Sequence, residues 1–244
     1  MGNPRIFVSQ TLKVGDRVQL PEGAFRHVVQ VLRRAPGEGL TLFNGEGGEY
    51  EAVLDSAGKR EAYARIERYR GTERESPLRI TLAQGVSKGE RMDYSIQKAV
   101  ELGVSEVIPL MTERCVVKLS AERWDRKLEH WQNIAISACE QCGRTQVPGV
   151  LPPADLRDWL SQAPADAHKL VLDPDAEAAL RQGNPGRRIV LLVGPEGGLS
   201  PVEIKLAELA GFRGLRLGPR LLRTETAGVV ALSVLQAQWG DLKS

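Results

Sequence analysis

With 244 residues the chain can form one large domain or two modest ones and bury a sizeable core. Its 33 Lys+Arg face 31 Asp+Glu, so net charge selects no partner, and any nucleic-acid face must come from local clustering. No run approaches a membrane span, no signal peptide opens the chain, and three cysteines fit a reducing compartment, so a cytoplasmic location is expected.

Residues 1 to about 70 read as β-rich. Short, partly alternating runs at 5–8, 17–20, 40–43, 50–54 and 62–66 are separated by glycine-containing turn signals. One helix is predicted over 24–34, with Phe25, Val28, Val29 and Leu32 on one face. About five strands closing on themselves with one helix predict a small barrel. The polar stretch 73–77, ending in Pro77, reads as a linker between domains at 1–72 and 78–244.

From Leu78 onward strands and helices alternate. The pattern predicts strands at 78–83, 107–110, 169–172, 189–193 and 215–217. Helices are predicted at 90–102 and about 121–141, after Pro153, after Ser200, and from about Thr226 to Trp239. Such alternation implies an α/β domain with a parallel sheet. The last helix is apolar on most sides, with Val229, Val230, Leu232, Val234 and Leu235, and needs cover on more than one face.

The stretch 188–227 concentrates the chemistry. An apolar run ends in Gly194, Pro195, Glu196, Gly197 and Gly198, and Ser200-Pro201-Val202-Glu203 then starts a helix with a capping box. A second strand runs into Leu217-Gly218. Two strand–loop–helix units with glycine at the strand end point to a small-molecule site at the carboxyl edge of a parallel sheet. Neither the dinucleotide fingerprint nor a Gly-Lys-Ser/Thr triphosphate loop is present. Arg213, Arg216, Arg220 and Arg223, with only Glu225 against them, make the densest basic cluster, either a solvated face or a contact for a polyanion.

Other motifs carry less. Cys139 and Cys142 form a C-x-x-C late in a helix, without a second pair at zinc-ligand spacing. His27, His130 and His168 are scattered, which disfavours metal hydrolysis and triad chemistry. Arg144 reads as a helix-dipole cation or a phosphate or base contact. Lys88, Arg91 and Arg114, near strand ends of one sheet, read as solvated charges or phosphate contacts.

Several blocks together resemble the SPOUT class of S-adenosylmethionine-dependent RNA methyltransferases, and within it the family that methylates N3 of a uridine in 16S ribosomal RNA. They are His27 with Val31-Leu32-Arg33, QKAVELGV from Gln97, Glu113-Arg114-Cys115, EQCGR from Glu140, GPEGGLS from Gly194 and LGPRLLRTET from Leu217. The resemblance implies a PUA-like N-terminal β-barrel and a C-terminal domain tied in a deep trefoil knot, an exception to the rule against knots. It also implies a homodimer acting on 16S rRNA, and a donor bound without metal by Leu172, Leu192, Gly194, Pro195, Glu196, Gly197, Gly198, Leu217, Gly218, Leu222, Thr224 and Thr226. RNA would meet His27, Arg33, Lys88, Arg91, Arg114, Arg144 and Arg220. Arg223 is the expected stabiliser of charge on the uracil oxygens. Glu225 is the expected base or orienting group, unless it only caps the last helix or pairs with Arg223. The alternatives are a SPOUT enzyme for another RNA or base atom, and a non-catalytic RNA-binding protein.

Overall fold

The computed structural model describes residues 2–117, 119–177 and 186–242. The chain forms two units. The first holds the residues up to Glu75 together with Cys139–Val147, and the second holds Ser76–Ala138 and the residues from Pro148 on.

In the first unit five strands, β1 (Arg5–Phe7), β2 (Arg17–Gln19), β3 (Gly39–Phe43), β4 (Glu49–Ala57) and β5 (Ala62–Arg70), lie in the order β1-β3-β4-β5-β2. Only β1 and β3 run parallel; the other neighbours are antiparallel. The expected closed barrel is therefore a half-barrel: β1 and β2, three residues each, form its two edges and do not pair with each other. Alternating inward residues, among them Ile6, Val18, Leu40, Leu42, Leu54 and Ile66, build its core.

The helix expected over 24–34 is shorter and wider. A single α-turn, α1 (Glu22–Phe25), passes into a π-helix over Arg26–Val31. Its last bond, from the Leu32 N–H to the His27 carbonyl at 2.8 Å, spans five residues instead of four. The wider turn breaks the 3.6-residue stripe: Phe25 and Val28 stay buried and Val29 packs against the core, while Leu32 is 43% exposed. Arg33 follows with a left-handed backbone, φ 52°.

The segment 139–147 is held in this unit by charge and backbone bonds. Arg5 pairs with Glu49 and also donates to the carbonyls of Gly143 (3.1 Å) and Arg144 (3.0 Å). Arg144 is buried, with its guanidinium on the Glu75 carboxylate. Burial pushes the Cys139 thiol up to about 12, away from the thiolate that a reactive cysteine needs.

The second unit is a seven-stranded, wholly parallel sheet. Its strands are β6 (Arg79–Gly85), β7 (Glu106–Met111), β8 (Gly149–Val150), β9 (Ala154–Asp155), β10 (His168–Leu172), β11 (Arg188–Val193) and β12 (Arg213–Leu215). They lie in the order β12-β10-β11-β6-β7-β8, with β9 also on β7. Five helices accompany them: α2 (Glu90–Glu101), α3 (Ala121–Cys142), α4 (Leu156–Gln162), α5 (Pro201–Leu209) and α6 (Thr224–Trp239). The central strands β6 and β11 are apolar and buried nearly throughout, as strands covered on both faces must be. Three boundaries near the site differ from expectation. β6 runs two residues further, to Gly85; the last strand ends at Leu215, leaving Leu217 in a loop; and α6 starts two residues early, at Thr224.

Asp93 on α2 joins two helices by accepting from Lys127 (3.4 Å), His130 (2.8 Å) and the indole N–H of Trp131 (3.0 Å) on α3. Burial raises the Asp93 carboxyl, but these donors outweigh it and hold it below its ordinary value of 3.8. A depressed carboxylate contributes stability above its unfolded pKa and loses it as pH falls through the folded one. Asp93→Ala strands the buried Trp131 N–H and should cost about 1–3 kcal/mol in urea unfolding at pH 7. The difference from the parent should shrink below pH 4. A constant difference would remove Asp93 from the acid dependence.

Candidate active site

Because the sheet is parallel, the loops after β10, β11 and β12 leave it at the same edge. They surround a cavity of ≈ 800 Å³. Its walls come from Leu172 to Asp175, Val193 to Leu199, one face of α5, and the residues from Leu215 to Ala227 other than Pro219 and Thr226.

The first wall depends on close backbone packing. A Cβ on Gly194 would lie 2.8 Å from the Leu199 nitrogen and 2.9 Å from the Gly198 carbonyl carbon. One on Gly85 would lie 2.6 Å from the Pro195 ring. The loop then enters α5 through a capping box: Ser200 Oγ accepts from the Glu203 N–H, and the Glu203 carboxylate accepts from the Ser200 N–H at 2.8 Å. Glu196 holds the loop from outside, accepting from the Lys88 N–H (2.8 Å) and from Arg91 (2.9 Å). Burial works against its charge, but its own N–H, the Lys88 N–H and Arg91 keep the carboxyl below the usual range. Arg114 donates to the Gly197 carbonyl at 2.8 Å.

The second wall carries the charged chemistry. Arg223, the N-cap residue of α6, is exposed and lines the cavity, as does Arg220. Among the described residues neither has an acidic partner. Glu225 sits in the first turn of α6, makes no cap and no pair with Arg223, and its Oε2 is shielded from solvent without a donor. A buried carboxylate oxygen with no donor is costly unless something else supplies one. Thr224 donates to the Gly194 carbonyl at 2.6 Å, which ties this wall to the first.

Of the residues expected to hold the donor, Leu172, Gly194, Pro195, Glu196, Gly197, Gly198, Leu217, Gly218, Leu222 and Thr224 line the cavity. Leu192 does not. Its side chain is in the core between sheet and helices, and Val193, next along the strand and facing the other way, takes the place. Thr226 is exposed and also outside the lining. Arg91 and Arg114 are in the wall, while Lys88 reaches it only through its backbone bond to Glu196. His27 and Arg33 are exposed on the first unit. Arg144 is spent inside that unit on Glu75, so the reading of it as an RNA contact gives way to a structural ion pair. Sequence reasoning missed Asp173 and Asp175 after β10, and Ile204, Lys205 and Glu208 on α5. The spacing 201, 204, 205, 208 is one helix face and could have pointed to the latter.

Residues 74–236 match the family model of the RNA methyltransferase domain, and residues 20–67 match that of the RNA methyltransferase PUA domain. This chain belongs to the RNA methyltransferase family. Among its relatives, the ribosomal RNA small subunit methyltransferase E of Buchnera aphidicola (subsp. Schizaphis graminum) is 35% identical over 98% of both chains. That of Bacillus subtilis is 34% identical over 87% of this chain and 86% of its own. The crystal structure of the Neisseria gonorrhoeae ribosomal RNA small subunit methyltransferase E, bound to S-adenosyl methionine, superposes with a TM-score of 0.93 at 43% identity, covering 99% of this chain and 100% of that one. A structure from Legionella pneumophila with bound SAM gives 0.95 at 44%, with the same coverage. The half-barrel is thus a PUA-like domain, and the parallel sheet is of the SPOUT type. No helix among the described residues is long and apolar enough to cross a membrane.

Proposed function

We propose that this protein transfers a methyl group from S-adenosylmethionine to N3 of one uridine in the 16S rRNA of the small ribosomal subunit, as a cytoplasmic homodimer. The observation that carries this reading is the meeting, in one cavity, of the glycine-walled loop 194–198 with Arg223 and the unpartnered Glu225 carboxylate. The relatives' names and the SAM-bound neighbours support it. In this reading 1–72 is the PUA-like RNA-binding domain, 73–77 the linker and 78–244 the catalytic domain.

The cavity fits the donor in size, within the range of small-molecule sites, and in its narrow glycine walls. Leu172, Gly194 to Gly198, Leu217, Gly218, Leu222 and Thr224 would hold it. S-adenosylmethionine, when bound, supplies a methyl group on a positively charged sulfur and so needs no metal. The chain's own work is on the uracil. N3–H is a weak acid at neutral pH, and only the deprotonated nitrogen attacks well. Glu225 takes or orients that proton, and Arg223 meets the negative charge left on the uracil oxygens. Since N3 lies on the pairing edge, the target base must be unpaired or flipped out.

The knot and the dimer belong to the same reading. β12 is the sheet edge, yet Thr224, nine residues beyond its end, bonds to Gly194 at the end of β11, two strands inward. This path across β10 is what a threaded C-terminus requires. On α6, Ala231, Leu232 and Leu235 are covered within the chain, but Val234 is 40% exposed beside a shallow groove with Leu215, Leu217 and Val230. A second copy supplies the missing cover.

Two measurements test the function. Calorimetry with S-adenosylmethionine should show binding; none would overturn the methyltransferase reading. Primer extension on rRNA from a strain lacking the protein should lose one stop, because an N3-methyl group blocks pairing. If every stop survives, the target is wrong although the donor reading stands. Arg220, exposed and unpaired among the described residues, should act as a phosphate contact. Arg220→Ala should reduce the slope of log affinity against log salt by about one while donor affinity stays unchanged. An unchanged slope would remove it from the RNA face.

A further inference from the structure

Gln84, the next-to-last residue of β6, is fully buried. Three acceptors crowd one end of its side chain: the carbonyls of Gly85 (3.1 Å) and Gly194 (3.3 Å) and the Thr224 hydroxyl (3.0 Å). That crowding fixes the amide orientation, since its oxygen would face three lone pairs there. The Thr224 hydroxyl already gives its proton to the Gly194 carbonyl, so it can only accept from Gln84. The other end of the amide, Oε1, is buried and meets no donor. A leaky arrangement of this kind is a poor way to stabilise a core: an apolar side chain of the same length would leave no orphaned oxygen. The amide is better explained by what it connects. Gly194 begins the loop on one side of the cavity, and Thr224 stands between Arg223 and Glu225 on the other.

We propose that Gln84 is a positioning residue for the methyl transfer, its amide setting the separation between the donor loop at Gly194 and the two charged residues Arg223 and Glu225. This rests on the methyltransferase reading above. Gln84 lines no part of the cavity and touches neither substrate; it acts through Thr224 and the Gly194 carbonyl. The dimension it controls is the approach of the uracil nitrogen to the donor's methyl group, to which rate is far more sensitive than binding.

The test uses the full chain, S-adenosylmethionine and the rRNA substrate. Gln84→Met keeps length and burial but removes both N–H donors. Turnover should fall by about 100-fold, while donor Kd by calorimetry moves by less than about tenfold and the melting temperature is held. Thr224→Val cuts the same link from the other side. The double variant should be no slower than the slower single variant, as expected of residues acting through one connection. Gln84→Glu adds a signature of its own. Burial among acceptors raises such a carboxyl, and its protonated form regains one donor, so its turnover relative to the parent should climb as pH falls. Should Gln84→Met fail to fold, Gln84→Glu decides. The proposal is overturned if turnover stays within about twofold of the parent, if loss of turnover is matched by equal loss of donor binding, or if the two substitutions multiply independently. A parent protein that binds no S-adenosylmethionine would instead bring down the function beneath it.

Discussion

Arg223→Ala should lower turnover by about 100- to 1000-fold, the usual cost of removing one donor aimed at developing charge, and leave S-adenosylmethionine affinity nearly unchanged. Arg223 caps α6 with an extended backbone, which turns its side chain out of the helix and over the cavity. No acid among the described residues neutralises it, so its charge is available to the base. The anion formed when N3 loses its proton is spread over the two oxygens that flank it, and a permanently charged guanidinium with several fixed N–H donors can bond one of them while leaving N3 open to the methyl group, which a flexible ammonium does less well. Arg223→Lys should therefore recover only part of the activity. The pH profile gives an independent check: without the guanidinium, more of the deprotonation must come from solution, and the variant should keep gaining rate at alkaline pH after the parent has levelled off. A variant that loses donor binding while turnover at saturation is normal would make Arg223 a donor contact instead.

Local signals in this sequence are legible and long-range ones are not. Buried strands announce themselves by continuous apolar runs, so β6, β10 and β11 were legible, and with them the edge at which their loops meet. Gly194 and the Ser200–Glu203 box were legible because each residue type has one local use there. Leu192 was misplaced because a strand buried on both faces has no polar alternation to say which side faces the cavity; Val193 does. The π-helix after Phe25 is out of reach, since hydrophobic spacing assumes 3.6 residues per turn and Leu32 is then expected inside. Arg144 and Gln84 failed in opposite directions. A lone arginine looked like an RNA contact, yet its charge is met by Glu75, far off in sequence. A lone glutamine at the end of an apolar strand gives no local signal, and two of its three partners lie 110 and 140 residues away. Charge and amide groups take their meaning from long-range partners, which spacing does not encode.

The two glycines that close the donor walls separate these causes experimentally, since they are required for different reasons. At Gly194 the lack is space. The nearest atoms to an added Cβ belong to the backbone of Gly198 and Leu199, which cannot rotate aside, so the loop itself must move. Such overpacking costs about 1–3 kcal/mol, and if it falls on the bound state, donor affinity drops by about ten- to a hundredfold. At Gly218 the space is open, with nothing within 4 Å, but the backbone is left-handed at φ +81°. Alanine there carries about 1–2 kcal/mol of strain and no collision. The substitutions therefore part company with asparagine, which tolerates the left-handed region better than alanine while being larger. Gly218→Asn should bind S-adenosylmethionine more tightly than Gly218→Ala, whereas Gly194→Asn should bind it more weakly than Gly194→Ala. Calorimetry on the four variants reads both orders directly. If asparagine rescues both positions, the wall at Gly194 is governed by backbone conformation and not by contact. If it rescues neither, the loop after Leu215 is closed more tightly around the donor than its open surroundings imply.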